Sequence, residues 1–387
     1  MITKSNGEVY SMNYFYIMSF IFLLSNCSVK EEKHLNKSDA INFASTIYQE
    51  SKLDIIKNKL NSMKKGIVQV NRKSMKFDFK YFGEKPINGW SLYLSLHGGG
   101  GVPDSVNENA WLRHKSLYKV EEGIYLTPRS PSNTWNMWHQ GHVDTLIDEL
   151  IKNMIAIYEV NSNRVFLMGY SAGGDGVYQL APRMADRFAG AAMMAGHPNE
   201  ASPLGLRNIG FTLHMGEQDS MYNRNLVAVQ WGNMLNELQN KDPFGYKHFV
   251  KIHKNMGHWM GGLDTSGIRW ISQFERNPYP KKVVWRQDDV LNKRYYWLKN
   301  NNPKEGDTLI VSILEQTITV EKTNISNFTV YLNDDLVNMD QIVSVSYNDK
   351  EIYKGHVKRD SNIIRESTIE HGDPQSVYFG EIEININ

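Results

Sequence analysis

From residue 90 onward, short apolar segments alternate with amphipathic segments along the chain. The apolar segments have the length of buried strands, and two of the intervening segments carry apolar residues every three or four positions, as helices do. This alternation predicts a mostly parallel sheet covered by helices on both faces. The predicted strands are 91–96, 123–126, 165–168, 190–195, 211–214 and 249–253, and the helical stripes cover 143–155 and 227–238.

The flanking parts of the chain follow other patterns. A helical segment that Ser38 is predicted to cap and an alternating strand at 77–81 lie within residues 28–89. After a polar linker around residue 300, several β-rich segments follow, with Asn348-Asp349 marking a tight hairpin. We therefore predict three regions after the N-terminal segment: a helix with the first strands at 28–89, an α/β core at 90–298, and a small all-β, sandwich-like domain at 305–387.

Residues 1–27 have the pattern of an export signal. Their apolar run, 14–24, is shorter than the roughly 20 residues of a membrane-spanning helix, and a charged segment follows it. The segment that ends at Cys27 also resembles a bacterial lipobox, whose cysteine receives the lipid. We expect an exported protein that is periplasmic, attached to a membrane through a lipid on Cys27, or secreted. An uncleaved N-terminal anchor is the alternative.

Composition and charge indicate which partners, cross-links and cofactors to expect. The 387 residues include 43 Lys and Arg against 42 Asp and Glu, and this balance gives no reason to expect a nucleic acid as partner. Cys27 is the single cysteine of the sequence, so no intramolecular disulfide can form. His139 and His142 have no third metal ligand near them in the sequence, and we predict neither a metal nor another cofactor.

The first chemical motif is Gly-Tyr-Ser-Ala-Gly at 169–173, directly after a predicted strand. In a nucleophile elbow, the chain turns sharply from strand to helix and exposes the serine oxygen above the sheet, and flanking glycines make room for that turn. A serine hydroxyl needs a neighbouring base to become a useful nucleophile. The motif therefore predicts Ser171 as a nucleophile, and a structural glycine-rich turn is the alternative.

The second motif is His-Gly-Gly-Gly-Gly at 97–101, which also follows a predicted strand. Ester or amide hydrolysis builds negative charge on the carbonyl oxygen, and backbone N–H groups can stabilise that charge. We expect the N–H of Gly98 or Gly99, together with that of Ala172, to form this oxyanion hole. A flexible glycine loop is the alternative, and His97 is expected to brace the loop.

An acid and a base complete the predicted chemistry. Asp219 follows the strand at 211–214, and His258 follows the strand at 249–253. With Ser171 before them, the chain order is Ser–Asp–His, which is typical of hydrolases whose serine lies on a strand-to-helix turn. Asp219 would hold the tautomer of His258, which would take the serine proton. The competing carboxylates are Glu217 and, less favoured, Asp264; the other histidines considered are His214 and His253, which lie inside strand patterns.

Three further residues are candidates for the substrate pocket. Trp135 and Trp138 follow the strand at 123–126, where they would form a pocket wall or cover the sheet as core residues. His197 also lies just past a predicted strand and would line the site.

These motifs resemble those of α/β-hydrolases, and more narrowly the secreted group that contains poly(3-hydroxybutyrate) depolymerases and feruloyl esterases. The resemblance covers about 90–275 and rests on the stretch 163–174 together with the upstream glycine motif. It implies an α/β-hydrolase fold and a triad of Ser171, Asp219 and His258. Parts of the chain are also similar to prolyl-oligopeptidase-like hydrolases.

The expected function is therefore that of an exported serine hydrolase that cleaves small or polymeric carboxylic esters through an acyl-enzyme. A serine peptidase of prolyl-oligopeptidase type is one alternative. An inactive, hydrolase-like surface binding protein is the other. No partner is predicted for the C-terminal domain.

Overall fold

The predicted parallel sheet is the centre of the fold, which a computed structural model describes for residues 35–386. The strands lie in the order β1-β2-β4-β3-β5-β6-β7-β8. β1, β2 and β4 are joined by antiparallel pairing, and all other neighbours in this sheet are parallel. The bounds are β1 (Ile67–Val70), β2 (Lys73–Phe82), β3 (Trp90–Leu96), β4 (Gly123–Arg129), β5 (Val160–Tyr170), β6 (Gly190–Met194), β7 (Gly210–Gly216) and β8 (His248–His253).

Within residues 35–386, seven α-helices accompany the strands. The stripe at 143–155 is the buried face of α3, and the stripe at 227–238 lies in α5, so both predicted helices are confirmed. Asn36, rather than Ser38, caps the first helix, because its side-chain oxygen accepts the Asp39 N–H at 2.9 Å. The bounds are α1 (Lys37–Lys64), α2 (Asp104–His114), α3 (Gly141–Tyr158), α4 (Ala172–Arg183), α5 (Arg224–Lys241), α6 (Thr265–Ile271) and α7 (Ser361–His371).

The C-terminal part forms two further sheets, which confirms a small β domain. Their strand orders are β10-β11-β14-β17 and β16-β15-β13-β12-β9. The bounds are β9 (Lys282–Arg286), β10 (Arg294–Tyr295), β11 (Leu298–Lys299), β12 (Thr308–Leu314), β13 (Thr317–Thr323), β14 (Asn327–Leu332), β15 (Val343–Tyr347), β16 (Lys350–Gly355) and β17 (Gly380–Asn385).

The residues at which the sheets begin along the chain differ from the predicted region boundaries at 90 and 298. Strands β1 and β2 continue the central sheet, so that sheet begins at Ile67. Strands β9, β10 and β11 precede residue 300 but belong to the C-terminal sheets, because β9 pairs with β12, β11 pairs with β14, and β10 pairs with β11. Helix α7 is an addition to the region predicted as all-β. The C-terminal boundary differs because strands on either side of the polar linker pair with each other, and the spacing of residues along the sequence does not show which strands pair.

Buried polar contacts join the C-terminal part to the central layer. Arg276 and Asp373 form an ion pair of 2.5 Å whose side chains are 2% and 0% exposed. The Tyr295 hydroxyl donates to the carbonyl of Gly205 at 2.6 Å. The C-terminal sheets therefore share a buried boundary with the layer that carries the chemical motifs.

The predicted export signal and Cys27 lie outside the described residues. Across 35–386, no helix combines the length and the apolar character needed to cross a membrane.

Candidate functional site

The turn between β5 and α4 presents Ser171 at the carboxyl end of the sheet. Ser171 has φ 59° and ψ −125°, an unusual conformation for a residue with a side chain, and its N–H donates to the Met194 carbonyl at 2.9 Å. The motif glycines are required for space. A Cβ on Gly169 would lie 2.2 Å from the Gly173 carbonyl oxygen, and one on Gly173 would lie 2.0 Å from that of Leu96. The chain can therefore make the sharp strand-to-helix turn that the motif predicts.

Ser171, His258 and Asp219 come together from the segments after β5, β8 and β7. His258 Nε2 lies 2.9 Å from Ser171 Oγ, and His258 Nδ1 lies 2.7 Å from Asp219 Oδ2. Asp219 is 3% exposed. Because a carboxylate only accepts hydrogen bonds, it selects the histidine tautomer with the proton on Nδ1. The lone pair of Nε2 then faces the serine hydroxyl.

The competing residues do not face Ser171. The Glu217 carboxylate accepts a backbone N–H of the loop that precedes His258, at 2.9 Å. The Asp264 carboxylate is buried and accepts a tyrosine hydroxyl. His214 and His253 are buried and bond to each other at 3.0 Å. The geometry thus separates Asp219 and His258 from the alternatives weighed with them.

The glycine loop after β3 approaches Ser171 directly. A Cβ on Gly98 would lie 3.0 Å from Ser171 Cβ, so a side chain there would crowd the serine. Gly99 has φ 126°, a conformation that favours glycine. Within residues 35–386, the N–H groups of Gly98, Gly99 and Ala172 donate to no protein acceptor. These donors therefore remain available to a ligand beside Ser171.

His97 braces this loop from below. Its Nε2 accepts the Ser130 N–H at 3.1 Å, which places the ring proton on Nδ1, and Nδ1 donates to the Gly98 carbonyl at 2.7 Å. Burial lowers the pKa of His97 to about 4. The ring is therefore neutral at physiological pH and keeps both hydrogen bonds.

The order of the central strands and the positions of the three side chains decide the fold. An elbow serine after β5, an acid after β7 and a histidine after β8 follow the chain order Ser–Asp–His. The chain has the α/β-hydrolase fold. The predicted fold class is thus confirmed.

Comparisons with known proteins give partial matches only. No family model matches the chain. A stretch of 112 residues is 32% identical to the bifunctional acetylxylan esterase/xylanase XynS20E of Neocallimastix patriciarum, covering 28% of this chain and 16% of that protein. The chain therefore spans well under two thirds of this curated relative.

Two solved structures illustrate the structural similarity. A thermostable esterase is 16% identical with a TM-score of 0.41, covering 55% of this chain and 64% of the other. The poly(3-hydroxybutyrate) depolymerase LpqC from Bordetella parapertussis is 12% identical with a TM-score of 0.40, covering 53% of this chain and 86% of the other. The strand order itself, rather than these similarities, establishes the α/β-hydrolase fold.

Asn107 in α2 holds the glycine loop of the hydrolase fold, and no sequence motif pointed to it. Its side-chain oxygen accepts the Gly100 N–H at 3.0 Å, and its side-chain nitrogen donates to the Gly100 carbonyl at 2.9 Å. The same nitrogen donates to Asn133 at 3.0 Å. Since an asparagine near a helix start ordinarily indicates capping, the sequence carried no signal for this role.

The candidate pocket residues have separate outcomes. Trp138 is fully buried and donates from Nε1 to the His97 carbonyl at 3.0 Å, so its assignment to a pocket wall is wrong and the core alternative holds. Its burial follows from close packing on α4, where a Cβ on Gly176 would lie 2.6 Å from Trp138 Cβ. Trp135 is 64% exposed and His197 is half-buried; contact of either with substrate stays a prediction.

Two further side chains contact the serine–histidine–aspartate group. The Tyr170 hydroxyl donates to the backbone carbonyl of His258, and the two rings lie 5.6 Å apart. Arg224 Nη1 lies 3.6 Å from Asp219 Oδ1. Sequence spacing did not indicate either contact, because both depend on how separate loops meet.

The described part of the chain contains no group of three or more His, Cys, Asp or Glu side chains arranged to hold a metal ion.

Proposed function

We propose that the protein is a serine hydrolase that cleaves carboxylic esters. The observation that carries this proposal is the hydrogen-bonded series Ser171–His258–Asp219 beside unpaired backbone N–H groups. The fold and the partial similarity to an enzyme named as an acetylxylan esterase/xylanase favour ester cleavage.

In the proposed first step, Ser171 Oγ attacks the ester carbonyl carbon while His258 Nε2 takes the hydroxyl proton. The tetrahedral intermediate collapses, the bond to the alcohol oxygen breaks, and His258 returns the proton to the departing alcohol. A water molecule then attacks the acyl-enzyme by the same route, with His258 as base. Asp219 stabilises the positively charged imidazole in both steps.

The developing oxyanion would bind the N–H groups of Gly98 or Gly99 and of Ala172. One such donor is typically worth about 10²–10³ in rate. His97 and the α2 asparagine then contribute indirectly, because they hold the glycine loop at the serine.

Labelling by a fluorophosphonate probe tests the nucleophile without knowledge of the substrate. We expect labelling of the wild-type protein, loss of labelling in Ser171→Ala and strong loss in His258→Ala. Ser361→Ala and His356→Ala change an exposed serine and an exposed histidine and serve as matched controls that retain labelling. A folded wild-type protein without labelling, or Ser171→Ala with unchanged labelling, would refute the proposal.

A panel of aryl esters and peptidyl anilides tests the bond that is cleaved. We expect Ser171-dependent turnover of the esters. Turnover confined to the anilides would instead indicate a serine peptidase and contradict ester specificity.

We also propose export, with lipid attachment at Cys27. Labelling of bacterial cells with a fatty-acid analogue should mark the wild-type protein and not Cys27→Ala. Equal labelling of both, or labelling of neither, would contradict the lipid attachment.

A further inference from the structure

Arg224 is a nearly buried arginine without a hydrogen-bond partner beside Asp219. Its side chain is 11% exposed, and the carboxylate oxygen Asp219 Oδ1 is 3.6 Å from its Nη1. Its Nε is buried and unpartnered, and none of its side-chain nitrogens forms a hydrogen bond within residues 35–386, where Nη1 makes only the longer ion pair with Asp219. This differs from Arg183 and Arg276, which are buried with short carboxylate contacts.

The turn before α5 places Arg224 at this position. Tyr222 and Asn223 both have positive φ, 56° and 57°, and they turn the chain before the helix begins at Arg224. The guanidinium carbon lies 5.0 Å from the centre of the exposed Tyr222 ring. The ring therefore covers the guanidinium while its N–H donors remain unused.

Electrostatics connect Arg224 to the rest of the site. Burial raises the pKa of Asp175 to about 6, and the His197 N–H and the Arg224 charge oppose that rise. Burial also lowers the pKa of His197, and the charge of Arg224 lowers it further. The guanidinium thus acts on groups that follow β5 and β6 as well as on Asp219, at the same end of the sheet as Ser171.

A largely buried guanidinium whose N–H groups lack hydrogen-bond acceptors is costly, and the 3.6 Å ion pair with Asp219 supplies no hydrogen bond, so a ligand that accepts from Arg224 would be stabilising. Arginine stays protonated and presents five donors in a planar fork that matches a carboxylate in two-point geometry. Asp219 cannot supply this partner in full, because its other oxygen binds His258 at 2.7 Å. The nearby carboxylates Asp219 and Asp175 favour a singly charged ligand over a doubly charged phosphate.

We propose that Arg224 binds a carboxylate of the substrate, so that the preferred esters carry a free carboxylate in their acyl or alcohol half. The ester part of this inference rests on the proposed function. The carboxylate part is separable, since it predicts binding that does not require hydrolysis.

Calorimetric binding to Ser171→Ala tests the carboxylate site with two matched pairs of esters. One pair varies the acyl half: mono(4-nitrophenyl) adipate and its neutral methyl ester. The other varies the alcohol half: 3-carboxyphenyl acetate and 3-carbamoylphenyl acetate. We expect tighter binding of the charged member in one pair, with roughly tenfold or greater loss of that preference on adding Arg224→Gln. Arg224→Lys should retain part of it, and the exposed control Arg286→Gln all of it.

Equal affinity for charged and neutral members in both pairs, or a preference that survives Arg224→Gln, would overturn the inference. So would an equal fall in kcat for both members in the Ser171-containing Arg224→Gln protein, since that result indicates a residue that only positions Asp219. Failure of the proposed function appears separately, as absent fluorophosphonate labelling of Ser171. Charge-dependent binding without labelling would support a carboxylate site in a protein that does not hydrolyse esters.

Discussion

Replacing Asn107 by alanine removes the side chain that ties the glycine loop to α2. In the wild-type protein, this amide pairs with both the N–H and the carbonyl of the buried Gly100, at 3.0 and 2.9 Å. Gly99, whose N–H is a candidate oxyanion donor, directly precedes this contact. The substitution therefore disturbs a proposed catalytic element without touching the serine, the histidine or the aspartate.

The expected magnitude follows from the groups left without partners. A buried polar group that loses its hydrogen bond costs about 1–3 kcal/mol, so the two Gly100 groups together cost roughly 2–6 kcal/mol. Because Gly99 is exposed, water can reach the released loop and reduce this cost. We expect a loss of about 2 kcal/mol in unfolding free energy. If one oxyanion donor is misplaced, kcat should fall about 10²-fold.

Urea unfolding and steady-state kinetics on a chromogenic ester measure the two effects. We expect kcat to carry most of the kinetic loss, since the oxyanion forms only after the substrate has bound. Asn153→Ala is the matched control, because Asn153 is also a buried helical asparagine but lies in α3, away from the glycine loop. The control should change stability without the fall in kcat.

A wild-type kcat in a folded Asn107→Ala protein would refute this reasoning. It would mean that the glycine loop keeps its position without the asparagine, or that its N–H groups do not stabilise the transition state. An equal loss of kcat in Asn153→Ala would also refute it, because the loss would then reflect general destabilisation.

Three other predictions address the base, the acid sensitivity and the C-terminal boundary. Asp219→Asn should lower kcat about 10⁴-fold, because the amide no longer selects the productive histidine tautomer; the exposed control Asp349→Asn should keep the wild-type value. Burial lowers the pKa of His97 from 6.5 to about 4, so the unfolded state binds more protons in this range. Stability should fall by up to roughly 3 kcal/mol as pH drops from about 6.5 to 4, and urea titrations that show less pH dependence for wild type than for His97→Gln would contradict this. Arg276→Met leaves Asp373 as an unpaired buried charge and should cost about 3–5 kcal/mol in urea unfolding, and an unchanged midpoint would contradict the structural role of the pair.

Local patterns in the sequence determined the central elements of this protein. Hydrophobic periodicity indicated the strands and the stripes of α3 and α5, because the spacing of apolar residues reflects which face of an element is buried. Asn348 and Asp349 likewise indicated the hairpin between β15 and β16, where both residues have positive φ. The chemical motifs predicted the serine and the glycine loop of the candidate site, because a glycine-flanked serine and a glycine-rich segment directly after a strand are typical of a nucleophile elbow and an oxyanion hole.

The tertiary structure decided everything that depends on contacts between distant segments. It brought Asp219 and His258 to Ser171 and kept Glu217 and Asp264 apart from it. It also buried Trp138, turned Asn107 onto the glycine loop and placed Arg224 beside Asp219 without a side-chain hydrogen bond. It assigned β9, β10 and β11 to the C-terminal sheets. None of these contacts follows from spacing along the chain, because the partner of a side chain is chosen by the packing of whole elements.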